Sequence, residues 1–76
     1  MLERIKNIIV EYVDVDPDKI SEQTNLRMDL GMTSLSLMNM IVDVEEEFGL
    51  EIDEADIMEF QILGDVLEYL KQNATK

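Results

Sequence analysis

The sequence predicts an all-α fold: a small four-helix bundle with a long ordered loop between helices 1 and 2 and a short third helix. Three observations carry this reading. Apolar residues recur at three- and four-residue spacing in separate segments. Residues that start or stop helices bracket those segments. The only strand-like alternation, Leu50-Glu51-Ile52, is too short to compete.

Leu2, Ile5, Ile9, Tyr12 and Val13, with Ile8 beside them, make residues 2–14 an amphipathic first helix that Asp16-Pro17 ends. About 19 residues then connect Val15 to Thr33, longer than an ordinary loop in a compact domain. Val15, Ile20, Leu26 and Leu30 are expected to anchor this loop to the core, with an extra turn near Pro17 to Ile20. The second helix is expected to begin at Thr33 or Ser34 and run to about Glu47, with Gly49 as its stop. Its core face is Leu37, Met40, Ile41, Val44 and Phe48. Asp53 is placed to cap a short third helix, Glu54 to Phe60, on which Ile57 and Phe60 share a face. Leu63, Val66, Leu67 and Leu70 define the fourth helix, and only the polar tail, Gln72 to Lys76, is expected to fray.

Composition narrows the function. The chain of 76 residues corresponds to one domain, 1–76, and its hydrophobic content of 46% is enough to fold rather than remain disordered. With no Cys and no His, disulfides, thiolate metal sites and a self-sufficient Ser-His-Asp hydrolase are excluded, so the expectation is a protein that is not an enzyme. Neither terminus carries a targeting segment, and no stretch approaches the roughly 20 apolar residues a membrane helix needs, which leads to an expectation of a cytoplasmic protein without membrane insertion. Net charge is −12, and from Met28 to Leu70 there are twelve Asp or Glu and no Lys or Arg. Such a surface repels nucleic acid and attracts proteins with basic patches, although the same charge also serves solubility.

Beside the core face of the second helix lies a further apolar stripe, Leu35, Met38 and Val42, so that the apolar arc spans roughly 220°. It either covers the third helix or forms a protein-docking surface, and one stripe can do both. Four of the six methionines, Met28, Met32, Met38 and Met40, cluster in this region, as flexible core filling or as an adaptable apolar lining. Asp14, Asp16 and Asp18 have the spacing of the first ligands of a calcium loop, but Lys19 stands where that loop needs Gly and Asn25 where it needs Glu. No dedicated metal site is expected; weak divalent binding by the acidic surface is the better reading.

The remaining motif is Asp29-Leu30-Gly31-Met32-Thr33-Ser34-Leu35, followed by the block Val44 to Ile52 and then Leu63-Gly64-Asp65-Val66. On these residues the chain resembles the acyl carrier proteins over essentially its whole length. The family signature is a Ser between Asp and Leu, preceded by Leu-Gly; here Thr33 stands in place of the Asp, and Thr33 can serve as N-cap of the second helix in its stead.

The resemblance implies that Ser34 is esterified to 4'-phosphopantetheine by a separate phosphopantetheinyl transferase using coenzyme A. The arm's thiol would then hold acyl intermediates as thioesters, in fatty acid, specialised lipid or polyketide-type biosynthesis. It places Thr33, Leu35, Met38 and Phe60 near the arm, and Met40, Val44, Ile52 and Ile57 around a sheltered acyl chain. It further implies a monomer whose partners are acyl-transfer, ketosynthase or related enzymes with basic docking patches. No charge occurs between Asp29 and Asp43, where family members commonly carry acids, so recognition is expected to lean on Leu35, Met38, Val42, Asp43, Glu46, Glu47 and Asp53. That departure favours a specialised pathway. The rival reading is a non-covalent acidic helical adaptor.

Overall fold

The computed structural model describes residues 2–73. Its helices are α1 (Leu2–Ile9), α2 (Ser34–Phe48), α3 (Glu54–Ile57) and α4 (Leu63–Asn73), with a 3-10 turn at Pro17–Lys19. Among the described residues there is no strand, only an isolated antiparallel bridge between Asn25 and Ile62.

α1 is shorter than its apolar spacing suggests. After Ile9 the backbone tightens: Val13 N–H still donates to Ile9 C=O at 3.1 Å, while Glu11 and Tyr12 N–H donate three residues back, to Ile8 and Ile9. Tightened bonds of this kind are a usual way to close a helix, and β-branched Ile8, Ile9 and Val10 crowd the turn they follow. Tyr12 and Val13 still pack on the core, which is why the apolar spacing outlasts the helix. Asp16-Pro17 starts the 3-10 turn instead of ending α1: the Asp16 carboxylate accepts from Asp18 N–H at 2.9 Å, and Pro17 occupies the first helical position.

The long loop is ordered by two devices. Ile20 and Leu26 are buried as expected and Val15 and Leu30 partly so; Met32 is buried as core filling, one of the two roles the sequence suggests for it, and Thr24, which the sequence does not single out, is buried as well. The loop is also bonded to the start of α4: Leu26 N–H donates to Gln61 C=O at 2.9 Å, Leu63 N–H to Thr24 C=O at 2.9 Å and Gly64 N–H to Glu22 C=O at 2.8 Å. A Cβ on Gly64 would stand 3.1 Å from the Glu22 carbonyl oxygen, so glycine permits this close approach.

α2 begins and ends where expected. Leu37, Met40, Ile41 and Val44 are buried, Phe48 is half-buried, and Gly49 closes the helix at φ +68°, a conformation that favours glycine. α3 is only four residues long, because beyond Ile57 the chain continues in three-residue turns to Phe60. Asp53 stands at its cap position without a side-chain cap bond; its carbonyl alone accepts, from Asp56 and Ile57 N–H at 3.0 Å. Ile57 and Phe60 are both buried. α4 buries Leu63, Val66, Leu67 and Leu70, and the Asp65 carboxylate accepts from Gln61 and Ile62 N–H at 2.9 and 3.1 Å. Of the tail expected to fray, Gln72 and Asn73 belong to α4 and residues 74–76 lie outside the described residues.

Candidate functional site

The site is built at the first turn of α2. Thr33 is extended (φ −82°, ψ 171°), and its Oγ1 accepts from Ser36 N–H at 3.1 Å while its hydroxyl lies 3.2 Å from Ser36 Oγ. Leu37 N–H donates to Thr33 C=O at 2.9 Å. Thr33 thus supplies the cap that an Asp would supply. Two first-turn donors, the N–H groups of Ser34 and Leu35, have no acceptor among the described residues, and the Ser34 hydroxyl is exposed and also unbonded there. Together with the roughly half positive charge of a helix N-terminus, they favour an anionic ester at this point. A phosphodiester on Ser34 therefore fits the residues present. With no Lys or Arg between Met28 and Leu70, backbone amides are the positive groups this segment itself offers.

Around Ser34 the apolar stripe divides. Leu35 is 72% exposed and Val42 48%, whereas Met38 packs partly against the core. The methionines divide too: Met32 and Met40 fill the core, Met38 is intermediate, and Met28 is 84% exposed in the loop that leads to the site. Met40, Val44, Ile52 and Ile57 all lie in the common core. The connection between α2 and α3 is pinned beside them by the Glu45 carboxylate, which accepts from Ile52 N–H at 2.7 Å. Phe60 is buried past the end of α3, its ring edge-on to Tyr69 with centroids 5.9 Å apart.

The acids expected to meet partners are not equivalent. Asp43 is hydrogen-bonded by the Tyr12 hydroxyl. That bond, then burial, then the charges of Asp43, Glu11 and Glu46 push the phenol up from its ordinary 10.0 to about 12. Glu47 receives the Arg4 Nε at 2.7 Å, while Arg4 Nη2 reaches the Glu47 carbonyl at 3.3 Å and the guanidinium lies 4.7 Å over the Phe48 ring. Glu46 and Asp53 are exposed. Ile8, Glu11, Asp43, Glu46 and Glu47 line an open groove of about 420 Å³ between α1 and α2. The sequence does not mark Tyr12 or Arg4 as a site residue, since Tyr12 reads as core. The available signal was scarcity: with six bases in the chain, a cation such as Arg4 has a carboxylate within reach almost anywhere.

Among the described residues no three His, Cys, Asp or Glu side chains are arranged to hold a metal. Asp16 and Asn25 serve turns instead, Asn25 Oδ1 accepting from Arg27 and Met28 N–H at 3.0 and 2.8 Å. No helix there is long and apolar enough to cross a membrane.

Comparison with known proteins agrees with this geometry. Residues 3–70 match the family model described as a phosphopantetheine attachment site. An acyl carrier protein of Thermotoga maritima is 36% identical over 69 residues, covering 91% of this chain and 85% of that protein. The solved acyl carrier protein from Enterococcus faecalis superposes with a TM-score of 0.82 at 30% identity, covering 95% of this chain and 91% of the other. A structure from Mycobacterium tuberculosis, a candidate acyl carrier protein, gives 0.85 at 30% identity over 93% and 95%. Sequence, fold and capped helix start together place the chain in the acyl carrier protein family, whose members are carriers of covalently attached 4'-phosphopantetheine and not enzymes.

Proposed function

We propose that Ser34 is the attachment residue and that the chain presents acyl intermediates to biosynthetic enzymes. The observation that carries this is the exposed Ser34 on a Thr33-capped helix start, its hydroxyl and two neighbouring N–H groups without partners among the described residues. Once attached, the arm supplies the thiol that this Cys-free chain lacks and holds acyl groups as thioesters. Thr33 fixes the helix start, and the Ser34 and Leu35 amides hold the phosphodiester. Leu35 and Met38 flank the arm, with Phe60 near it. Met40, Val44, Ile52 and Ile57 part to shelter the acyl chain. Leu35, Met38, Val42, Glu46 and Asp53 face the transferase and the acyl-transfer or ketosynthase-type enzymes. Asp43 and Glu47 already have partners on the α1 side.

The uncharged stretch from Leu30 to Val42 supports a specialised lipid or polyketide-type pathway over general fatty acid synthesis, in a cytoplasmic monomer. Incubation with coenzyme A and a broad-specificity phosphopantetheinyl transferase should add one phosphopantetheinyl group by intact mass, and Ser34→Ala should abolish the gain. Failure with several transferases would instead support the non-covalent adaptor. Efficient elongation by general fatty acid enzymes would overturn the specialised role. Nuclear magnetic resonance shifts confined to the arm on acylation would overturn the acyl lining.

A further inference from the structure

We propose that the Arg27 guanidinium is the counter-ion of the phosphodiester carried on Ser34. The proposal rests on Ser34 being the modified residue, and it adds to that site a side chain from the loop preceding α2.

Cations are scarce in this chain, and most are engaged or distant. Among the described residues Arg4 pairs with Glu47 and Lys6 with Glu3, while Lys19 lies in the 3-10 turn and Lys71 in the last turn of α4. Arg27 is the nearest cation to the site in sequence, seven residues before Ser34. It is exposed, and its side chain makes no ion pair or hydrogen bond among the described residues. In a chain with eighteen acids a free guanidinium needs a reason, and the bonding of the loop supplies it. The neighbouring Asp29 carboxylate accepts from Asn25 N–H at 2.8 Å, and from Leu30 to Val42 there is no acid at all.

The backbone fixes where this side chain starts. Arg27 N–H donates to Asn25 Oδ1 at 3.0 Å, and its carbonyl accepts from Gly31 N–H at 3.0 Å. The carbonyl before it, of Leu26, accepts from Met32 N–H at 3.1 Å. The turn thus folds Arg27 back beside Gly31 and Met32, and Met32 is separated from Ser34 by at most about 8 Å of chain. An extended arginine side chain is of about that length.

A phosphodiester is a permanent anion, and on a chain of net charge −12 the field of the whole molecule opposes it. The free amides of α2 meet it from the helix side, and the planar guanidinium offers a fork of donors to two of its oxygens from the loop side. Because the pair is exposed it is weak, so an enzyme can draw the arm away without a large penalty.

The test compares the unloaded chain with the chain loaded from coenzyme A by a broad-specificity transferase, each in the unmodified sequence and in Arg27→Gln. Loading should shift the Arg27 Nε–H resonance and slow its exchange with water, while Arg4, the other arginine, stays unmoved as an internal reference. Loading should also change the melting temperature more favourably in the unmodified sequence than in Arg27→Gln, by about 1–5 °C at low salt, with the difference shrinking in strong NaCl. An unmoved Arg27 resonance with equal melting changes in the two sequences overturns the proposal; if loading by intact mass still occurs, Ser34 stands as the attachment residue and the α2 amides hold the phosphate alone. Absence of any loading of the unmodified sequence overturns both.

Discussion

Thr33 shows how one residue substitutes for another when the physical task is the same. The task is to accept from an N–H in the first turn of α2, and the hydroxyl does so at 3.1 Å from Ser36 N. Thr33→Ala should therefore cost about 1 kcal/mol in urea unfolding, and Thr33→Asp should restore it. Tyr12 has a different task, tying the end of α1 to α2. Its phenol is raised from 10.0 to about 12 because Asp43 holds its proton. The unfolded chain releases that proton at lower pH, so the stabilisation is fully present below pH 10 and is lost as pH rises toward 12. Tyr69, raised chiefly by burial, acts in the same direction. Unfolding measured from pH 8 upward should show a decline beginning near pH 10, and Tyr12→Phe should shrink it. An equal decline in the variant would mean the Tyr12–Asp43 bond is not its source.

Elements differ in how much they stand on their own. α2 has fifteen residues, a side-chain cap and a glycine stop, whereas α3 has four residues and no side-chain cap bond. Amide hydrogen exchange should therefore be slowest in the buried middle of α2 and fast throughout α3. Comparable protection in the two would show that core packing at Ile52, Ile57 and Phe60 holds α3 as firmly as α2. The loop between α1 and α2 behaves as an element although it has no regular structure beyond one 3-10 turn. Asn25 organises its turn by accepting two N–H groups, and its own N–H donates to Asp29 Oδ2 at 2.8 Å. Asn25→Ala should cost about 1–2 kcal/mol by chemical denaturation. A neutral result would assign the order of the loop to Leu26 and its bonds with Gln61 to Gly64 alone.

For the molecule as a whole, charge opposes folding and one core sustains it. The radius of gyration is 11.2 Å, close to the roughly 11 Å expected of a folded chain of this length. A net charge of −12 is confined in that volume with only two ion pairs among the described residues, Arg4–Glu47 and Lys6–Glu3. Screening should relieve the repulsion, so moderate NaCl or magnesium should raise the melting temperature. A melting temperature independent of salt would show that the charges are too well spread to oppose folding.

Much of this was legible in the sequence because it depends on local rules. The apolar spacing of α2 and α4, the Thr33 cap and the Gly49 stop each follow from residues within a turn or two of one another. Ser34 was legible by resemblance and by its place at a helix start. What the sequence hid were events between distant segments. α1 stops at Ile9 although its apolar spacing runs on, because Tyr12 and Val13 reach the core from turns as well as from a helix. Thr24, a polar residue, is buried because the loop docks on the start of α4, where its carbonyl accepts from Leu63 N–H. Asp43 and Glu47 look like Glu46 in the sequence, and only α1 and the turns that follow it, more than thirty residues away, separate them by placing Arg4 and Tyr12 on one flank of α2. The sequence by itself determined that a capped helix presents Ser34. The tertiary structure decided which neighbours of that serine remain free to meet a partner, because a side chain's availability depends on what packs beside it.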